Sequence, residues 1–297
     1  MFALLSVQLI IQLLINGILF GAVYGIAAVG LSLILGTMRI IFITQGTIII
    51  LFSYVCYWLF TLLGIDPYLS LVIVMAAGVL LGVAIYRGLF RKAAVSADKN
   101  ISLLIAIGVM FFLENFMTVL WTPNPRSVTT AYTSFALRFG GIGISFTRLI
   151  GFIMAIAAAG AVALFLKKTF IGIAVRAASE DVISATLMGV SPHRVNSFAF
   201  AMGIGIAGIA GVDMATIYPF DPFYGFVFVL KGMISLAIGG VGSVTGALLG
   251  GIILGLIESL AAFFVPGGWT DTISYAVFLI VLMWKPEGLL VKSVKKA

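Results

Sequence analysis

Apolar residues along this chain fall in long unbroken runs separated by short polar segments. Nine runs stand out, at roughly 8–35, 46–64, 68–86, 101–120, 147–166, 194–215, 226–240, 243–263 and 270–284. About 18 apolar residues suffice for a helix to cross a hydrocarbon core roughly 30 Å thick. The runs are apolar on every face, whereas a membrane β-barrel alternates polar and apolar positions over roughly 10-residue segments. The pattern therefore predicts an all-α, polytopic transmembrane helix bundle of about 8–10 spans. The run at 226–240 is short and reads equally as a half-helix or re-entrant element. The largest polar segments, 121–146 and 167–194, are too short to fold alone, so residues 1–297 are expected to form a single transmembrane domain.

Two stretches interrupt the helical pattern. One runs from Gly36 through Arg39 to Thr44, Gln45, Gly46 and Thr47; the other is Gly239, Gly240, Val241, Gly242, Ser243, Val244, Thr245 and Gly246. Lipid cannot satisfy backbone groups freed by a broken helix, so such breaks survive where protein buries them or a watery cavity meets them. Gly-interrupted segments in the two halves of a chain point to a transporter built from repeats. On this reading Gln45, Gly46, Thr47, Gly239, Gly240, Gly242 and Ser243 belong to a translocation pathway, with Gln45, Thr47 and Ser243 facing its cavity. Small polar side chains there would pass a solute without holding it. The plainer alternative is that these glycines only let helices pack closely.

Composition strengthens the membrane reading. Hydrophobic residues make up 62% and charged residues 9% of the chain, against about 25% charged in soluble domains. The net charge of +7 does not call for a nucleic-acid partner, because the basic residues cluster in short loops, as the positive-inside rule requires. Arg87, Arg91, Lys92 and Lys99, then Lys167, Lys168, Arg176 and Arg194, then Lys285, Lys292, Lys295 and Lys296 mark three cytoplasmic segments. Segment 121–146, with Pro123, Pro125 and several Ser and Thr residues, suits the outer side, and counting back puts the N-terminus outside. No Lys or Arg precedes Arg39, so the first run is expected to be a retained span and not a cleaved signal. Cys56 is the only cysteine, which excludes an internal disulfide and a thiolate metal site.

Much chemistry is missing. No stretch fits the Gly-rich loop ending in Gly-Lys-Ser/Thr that cradles nucleotide phosphates. His193, the only histidine, lies beside Pro192 and Arg194 at an expected helix boundary and reads as a surface residue. A Ser-His-Asp triad or a zinc site has no material, so no cofactor and no enzymatic activity are expected. Within the spans, Glu114, Lys231 and Glu258 are the ionisable residues that stand out. Such groups are costly in lipid and face a bundle interior or a cavity, so Lys231 is a candidate partner for Glu114 or Glu258.

The loop after the fifth run carries the remaining signal. Residues 179–188 read as a short amphipathic helix capped by Ser179, with Glu180 and Asp181 in its first turn. Gly189 would end it, with Pro192 soon after. That helix would present Ile183, Leu187 and Met188 to the cytosol, either to the groove of a partner or to lipid headgroups.

Four stretches, in order, resemble the inner-membrane permease subunits of branched-chain amino acid ABC transporters, and in particular the first of the two related permeases. They are Asn16-Gly17, Gly21, Tyr24, Ala27, Gly30, Leu31 and Gly36; Ile41 to Gly46; Gly172, Arg176-Ala177, Glu180-Asp181, Ala185, Gly189 and Arg194; and Lys231-Gly232 with Gly239 to Glu258. The second stretch in that family usually ends Ala-His-Gly, where this chain has Thr44-Gln45-Gly46. That departure keeps urea, amides and aromatic acids as alternative substrates, and a stand-alone secondary transporter or channel as the alternative class. The resemblance implies a second related permease, two cytoplasmic ATP-binding subunits and a periplasmic substrate-binding protein as partners in a bacterial inner membrane. It also implies that Glu180, Asp181, Ala185, Leu187, Met188 and Gly189 couple the chain to the ATPases.

Overall fold

The structure is a computed structural model that describes residues 7–93, 100–139, 141–285 and 288–289. Lys99, Lys292, Lys295 and Lys296 lie outside the described residues. Twelve helical segments follow one another: α1 (Val7–Met38), α2 (Gln45–Leu63), α3 (Pro67–Ile85), a single turn α4 (Arg91–Ala93), α5 (Asn100–Trp121), α6 (Phe146–Lys168), α7 (Phe170–Glu180), α8 (Val182–Leu187), α9 (Pro192–Ile217), α10 (Tyr224–Gly239), α11 (Val244–Phe264) and α12 (Thr270–Trp284). A π-helical turn, Tyr86–Phe90, joins α3 to α4. Seven helical stretches are long and apolar enough to cross a membrane, while α10 and α12 are apolar but shorter. The protein is thus a multi-pass membrane protein, and each of the nine apolar runs corresponds to one helix with ends within three residues.

The chain shuttles between two ends. One end gathers Arg39, Arg87, Arg91, Lys92, Lys167, Lys168, Arg176, Arg194 and Lys285 at helix ends and connections and is called the basic end below. The other holds a feature the all-α expectation did not include. Within 121–146, β1 (Ala136–Phe139) and β2 (Ile142–Ser145) form an antiparallel hairpin. The start of α1 is tied to it: Gln12 donates to the Gly143 carbonyl at 2.7 Å and accepts from the Gly143 amide at 2.8 Å. The N-terminal end of α1 therefore lies on the hairpin side, opposite the basic end.

Helices α1 and α9 form the centre, their most apolar windows 83% and 89% buried, whereas α3, α5 and α6 keep most of their surface outward. Small residues set the spacing. A Cβ added at Gly21 would lie 2.5 Å from the Gly251 carbonyl, and one at Gly17 would lie 2.8 Å from Leu256 Cα. Backbone of α1 meets backbone of α11 over three turns, the small-residue seam that replaces the hydrophobic effect as a packing force in lipid.

Both predicted breaks are present. After Met38 the chain turns at Arg39, whose φ of 54° is uncommon for a residue with a side chain. Residues 40–44 then climb back into the bundle. Phe42 is fully buried between Phe90 and Phe200, at ring-centroid distances of 5.6 and 4.8 Å. Gln45, the first residue of α2, reaches the carbonyl of Ala27 at 3.0 Å. Ala27 lies eleven helical steps, about 16 Å, before Met38, so the Gln45 side chain reaches deep inside the basic end and α2 starts within the bundle. Helix α10 is shorter than a full span. Phe228 packs on Tyr24, at 5.8 Å between rings, and a Cβ added at Gly36 would come within 3.3 Å of Gly242 near the basic end. Its 16 residues cover about 24 Å, short of a full core. The non-helical segment above it is held by paired backbone bonds between Phe220 and Arg126, both 2.9 Å, as buried irregular backbone in a membrane requires.

Candidate functional site

The first turns of α2 and α10 meet inside the bundle. A Cβ on Gly46 would overlap the Gly225 carbonyl, and one on Gly225 would sit 2.7 Å from Thr47 Cα. The two helices thus abut at their N-termini, the positive ends of their dipoles. Around this junction the polar side chains are buried: Thr44 donates to the Ala106 carbonyl at 2.6 Å, and Thr47 donates to Glu114 Oε1 at 3.4 Å. Gln45 and Thr47 are 1% and 0% exposed, and Gln45 Oε1 has no hydrogen-bond partner among the described residues. Both residues are packed inside the bundle in this conformation.

Ser243 is placed differently. Its hydroxyl caps α11, accepting from the Gly246 amide at 3.0 Å. It also lines a cleft of about 690 Å³ at the basic end, shared with Gly242, Arg39, Arg176 and Glu180. Gly240 and Gly242 hold φ values of 93° and 82°, a backbone shape in which only glycine is unstrained. Gly239 packs directly on Gly246. The second break and the loop before α9 therefore open onto one cleft, although in the sequence they are separate features.

The loop 167–194 corrects one expectation. Ser179 is not a cap: α7 continues through it to Glu180, and its hydroxyl bonds to the Arg176 carbonyl at 2.7 Å. Asp181 takes the role. Its carboxylate accepts from the Ile183 amide at 2.9 Å and from the Ser184 hydroxyl at 2.5 Å. Asp181 breaks the helix with an extended φ of −146°, so one expected helix becomes two. The hydroxyl of Ser184, then the amides of Ser184 and Ile183, hold the Asp181 carboxyl below its ordinary range. The cap is therefore in place above that range and is lost as pH falls through the lowered value. Gly189 ends α8 as expected, with φ 86° and its amide on the Thr186 carbonyl at 2.9 Å. Ala185 faces the body of the protein, while Ile183, Leu187 and Met188 stand 75%, 82% and 87% exposed.

Lys231 pairs with Glu258 and not with Glu114. Its ammonium lies 3.1 Å from Glu258 Oε1, 3.0 Å from Asp271 Oδ1 and 3.3 Å from the Tyr24 hydroxyl, and Ser274 donates to Glu258 at 2.9 Å. This cluster ties α10 to α11 and α12. Lys231→Ala leaves Glu258 buried without its cation and is expected to cost about 3–5 kcal/mol, read as a lowered melting temperature in detergent. Lys231→Met with Glu258→Gln should recover most of that loss, because no buried charge is then left unpaired and Asp271, half exposed, keeps its hydration.

Asp213 escapes a reading of the sequence. It lies in α9, fully buried, and neither carboxylate oxygen has a hydrogen-bond partner among the described residues. A Cβ on Gly151 would come within 3.1 Å of Asp213 Oδ1, so α6 covers it. The available signal is one acid near the end of the run at 194–215, indistinguishable from that run's polar edge. Asp271 escapes for the same reason: it sits in the first turn of α12 and reads as an interface residue.

Known proteins are similar to this chain. A family model described as the permease component of branched-chain amino acid transport systems matches residues 13–282. The high-affinity branched-chain amino acid transport system permease protein LivH of Salmonella typhimurium is 28% identical over 294 residues, covering 94% of this chain and 95% of the relative. BraD of Pseudomonas aeruginosa, a permease of the same description, is 26% identical over 293 residues, with the same coverage. Among solved structures, PsaBC from Streptococcus pneumoniae in complex with Fab shares the fold, with a TM-score of 0.50 at 12% identity over 92% of this chain and 91% of that one.

Proposed function

The chain belongs to the branched-chain amino acid transport permease family, and from that premise we propose that it is the membrane permease subunit of an ATP-driven importer. Its cargo is branched-chain or related amino acids, moved across a bacterial inner membrane. The family membership over nearly the whole chain carries this reading. The chain is a transport subunit, and the energy comes from elsewhere: its partners are a second related permease, two ATP-binding subunits at the basic end and a periplasmic binding protein at the hairpin end.

In this reading the basic end is cytoplasmic. Glu180, Asp181, Ala185, Leu187, Met188 and Gly189 form the element that engages an ATPase. Gln45, Gly46, Thr47, Gly239, Gly240, Gly242 and Ser243 line the route. Two features support the assignment: the junction of helix N-termini at Gly46 and Gly225, and the cleft that joins Glu180 to Gly242 and Ser243. The closed packing around Gln45 and Thr47 then represents a shut route. ATP-driven movement of α8 would act on the second break through the shared cleft, biasing a two-state equilibrium between shut and open forms.

The test is reconstitution of the chain with the permease, ATPase and binding-protein subunits encoded beside it. Leucine uptake that needs ATP and all subunits is the expected result, with urea, short amides and aromatic acids run in parallel to fix the cargo. Solute movement by the chain alone, down an ion gradient, would overturn the proposal in favour of a secondary transporter.

A further inference from the structure

Another cavity at the basic end lies where the π-helical turn after α3 meets the start of α9. It has a volume of about 280 Å³ and is lined by Tyr86, Arg87, Arg91, His193, Arg194 and Ser197. Every one of these side chains can donate a hydrogen bond and none is a carboxylate. The ion pairs among the described residues involve Lys231 alone, so none of the three arginines has an acidic partner there. The cleft at the second break is different, because its Arg39 and Arg176 share their space with Glu180.

Local backbone makes the gathering of charge unusual. Pro192 opens α9, a helix of 26 residues, and Ser191 makes no side-chain cap. The first amide groups of such a helix are free and carry its positive pole. A cation in that first turn opposes the dipole, yet Arg194 stands there. The π-helical turn adds two more guanidinium groups: the Arg91 amide bonds back to the Tyr86 carbonyl, one residue further than in an α-helix. Such turns occur often at functional positions. The Tyr86 hydroxyl and His193 Nδ1 are 3.5 Å apart, closing the cup on its inner side. A preference for basic residues near one membrane face places arginines along loops; it does not collect three of them on one cavity at a helix's positive end.

We propose that this cavity is an oxyanion site that takes a phosphate group. Planar guanidinium groups match phosphate oxygens in pairs, and the helix start adds backbone donors. The site lies at the basic ends of α3 and α9, both long and apolar enough to span. Its phosphate can therefore come from an anionic phospholipid in the same leaflet or from free phosphate in solution, and the two sources are separable.

The full chain is purified in neutral detergent and placed in bilayers of phosphatidylcholine with or without phosphatidylglycerol. Retained lipid is read by native mass spectrometry and stability by thermal melting. Phosphatidylglycerol should be retained over phosphatidylcholine by about tenfold or more, and the preference should disappear in R87Q/R91Q/R194Q but persist in R138Q, at the hairpin end. Inorganic phosphate at millimolar concentration is added in a parallel arm at constant ionic strength. Displacement of the lipid by phosphate, with a raised melting temperature, assigns the site to free phosphate as well; no displacement assigns it to the headgroup. Absence of any lipid preference and of any phosphate response in the wild-type chain would overturn the proposal, as would a preference that survives the triple variant. Should the triple variant fail to fold, R194Q alone together with the wild-type competition decides.

Discussion

Gly251→Leu is expected to leave almost no folded protein. Gly251 meets the backbone of Gly25 and Gly21 directly, and Gly255 meets Gly21 and Gly17. Any side chain at Gly251 must push α11 away from α1, and the separation propagates to Gly255 one turn on. Overpacking a well-fitted interface costs about 1–3 kcal/mol, occasionally more. Here backbone and not a flexible side chain is displaced, so the upper part of that range applies, and the packing forfeited along the rest of the seam adds to it. Gly21→Leu should behave alike, and alanine at either position should fall in between. Gly160→Ala in α6 is the contrast: a Cβ there meets nothing, and replacing a helical glycine should gain up to about 1 kcal/mol. Expression and melting temperature of these variants in detergent decide the matter. Equal loss at Gly160 and Gly251 would mean that backbone freedom, not the seam, explains these glycines.

The same seam marks a boundary of what a sequence encodes locally. The abundance of glycine points to close helix packing, but which helices approach each other is a long-range choice that apolar runs do not carry. The spans themselves are readable because lipid demands apolar residues on every face, leaving sharp ends at Met38, Trp121 or Lys168. The hairpin at 136–145 is hidden, although Leu137, Ile142 and Ile144 flank a Gly-Gly pair whose Gly141 adopts φ 87°. Four residues per strand are too few to stand out against long apolar runs. In the loop before α9, Asp181 and Ser179 are equally good caps on paper. Asp181 takes the cap because Gly172, Val175 and Ala178 bury one face of α7 and carry that helix on to Glu180. Partner choice is hidden too: Glu258 and Asp271 both reach Lys231 only because α11 and α12 lie beside α10. Of the candidate site, Gly189 and the exposed trio of α8 are legible; the meeting of Gly46 with Gly225, which joins the two halves of the chain, is not.

Leu187→Glu with Met188→Glu is expected to abolish ATP-dependent uptake while leaving the chain inserted and as stable as before. Both side chains already face outward, so their replacement disturbs no packing within the protein. In the proposed complex they would be buried against an ATPase. Full burial of one Leu or Met contributes about 1.5–3 kcal/mol, so removing both forfeits about 3–6 kcal/mol before any cost of burying charge. At 1.4 kcal/mol per tenfold, association weakens by roughly a hundredfold to ten-thousandfold, enough to lose the ATPases on copurification. Gly189→Ala separates contact from placement. It leaves Leu187 and Met188 untouched but forces a side chain into the φ of 86° found there, at about 1–2 kcal/mol. It should tilt α8 and reduce uptake more than ATPase binding. The alternative for α8, a helix resting on headgroups, predicts the reverse order: the glutamates would disturb lipid contact, the ATPases would copurify as before, and the engaging surface would have to lie elsewhere on the basic end.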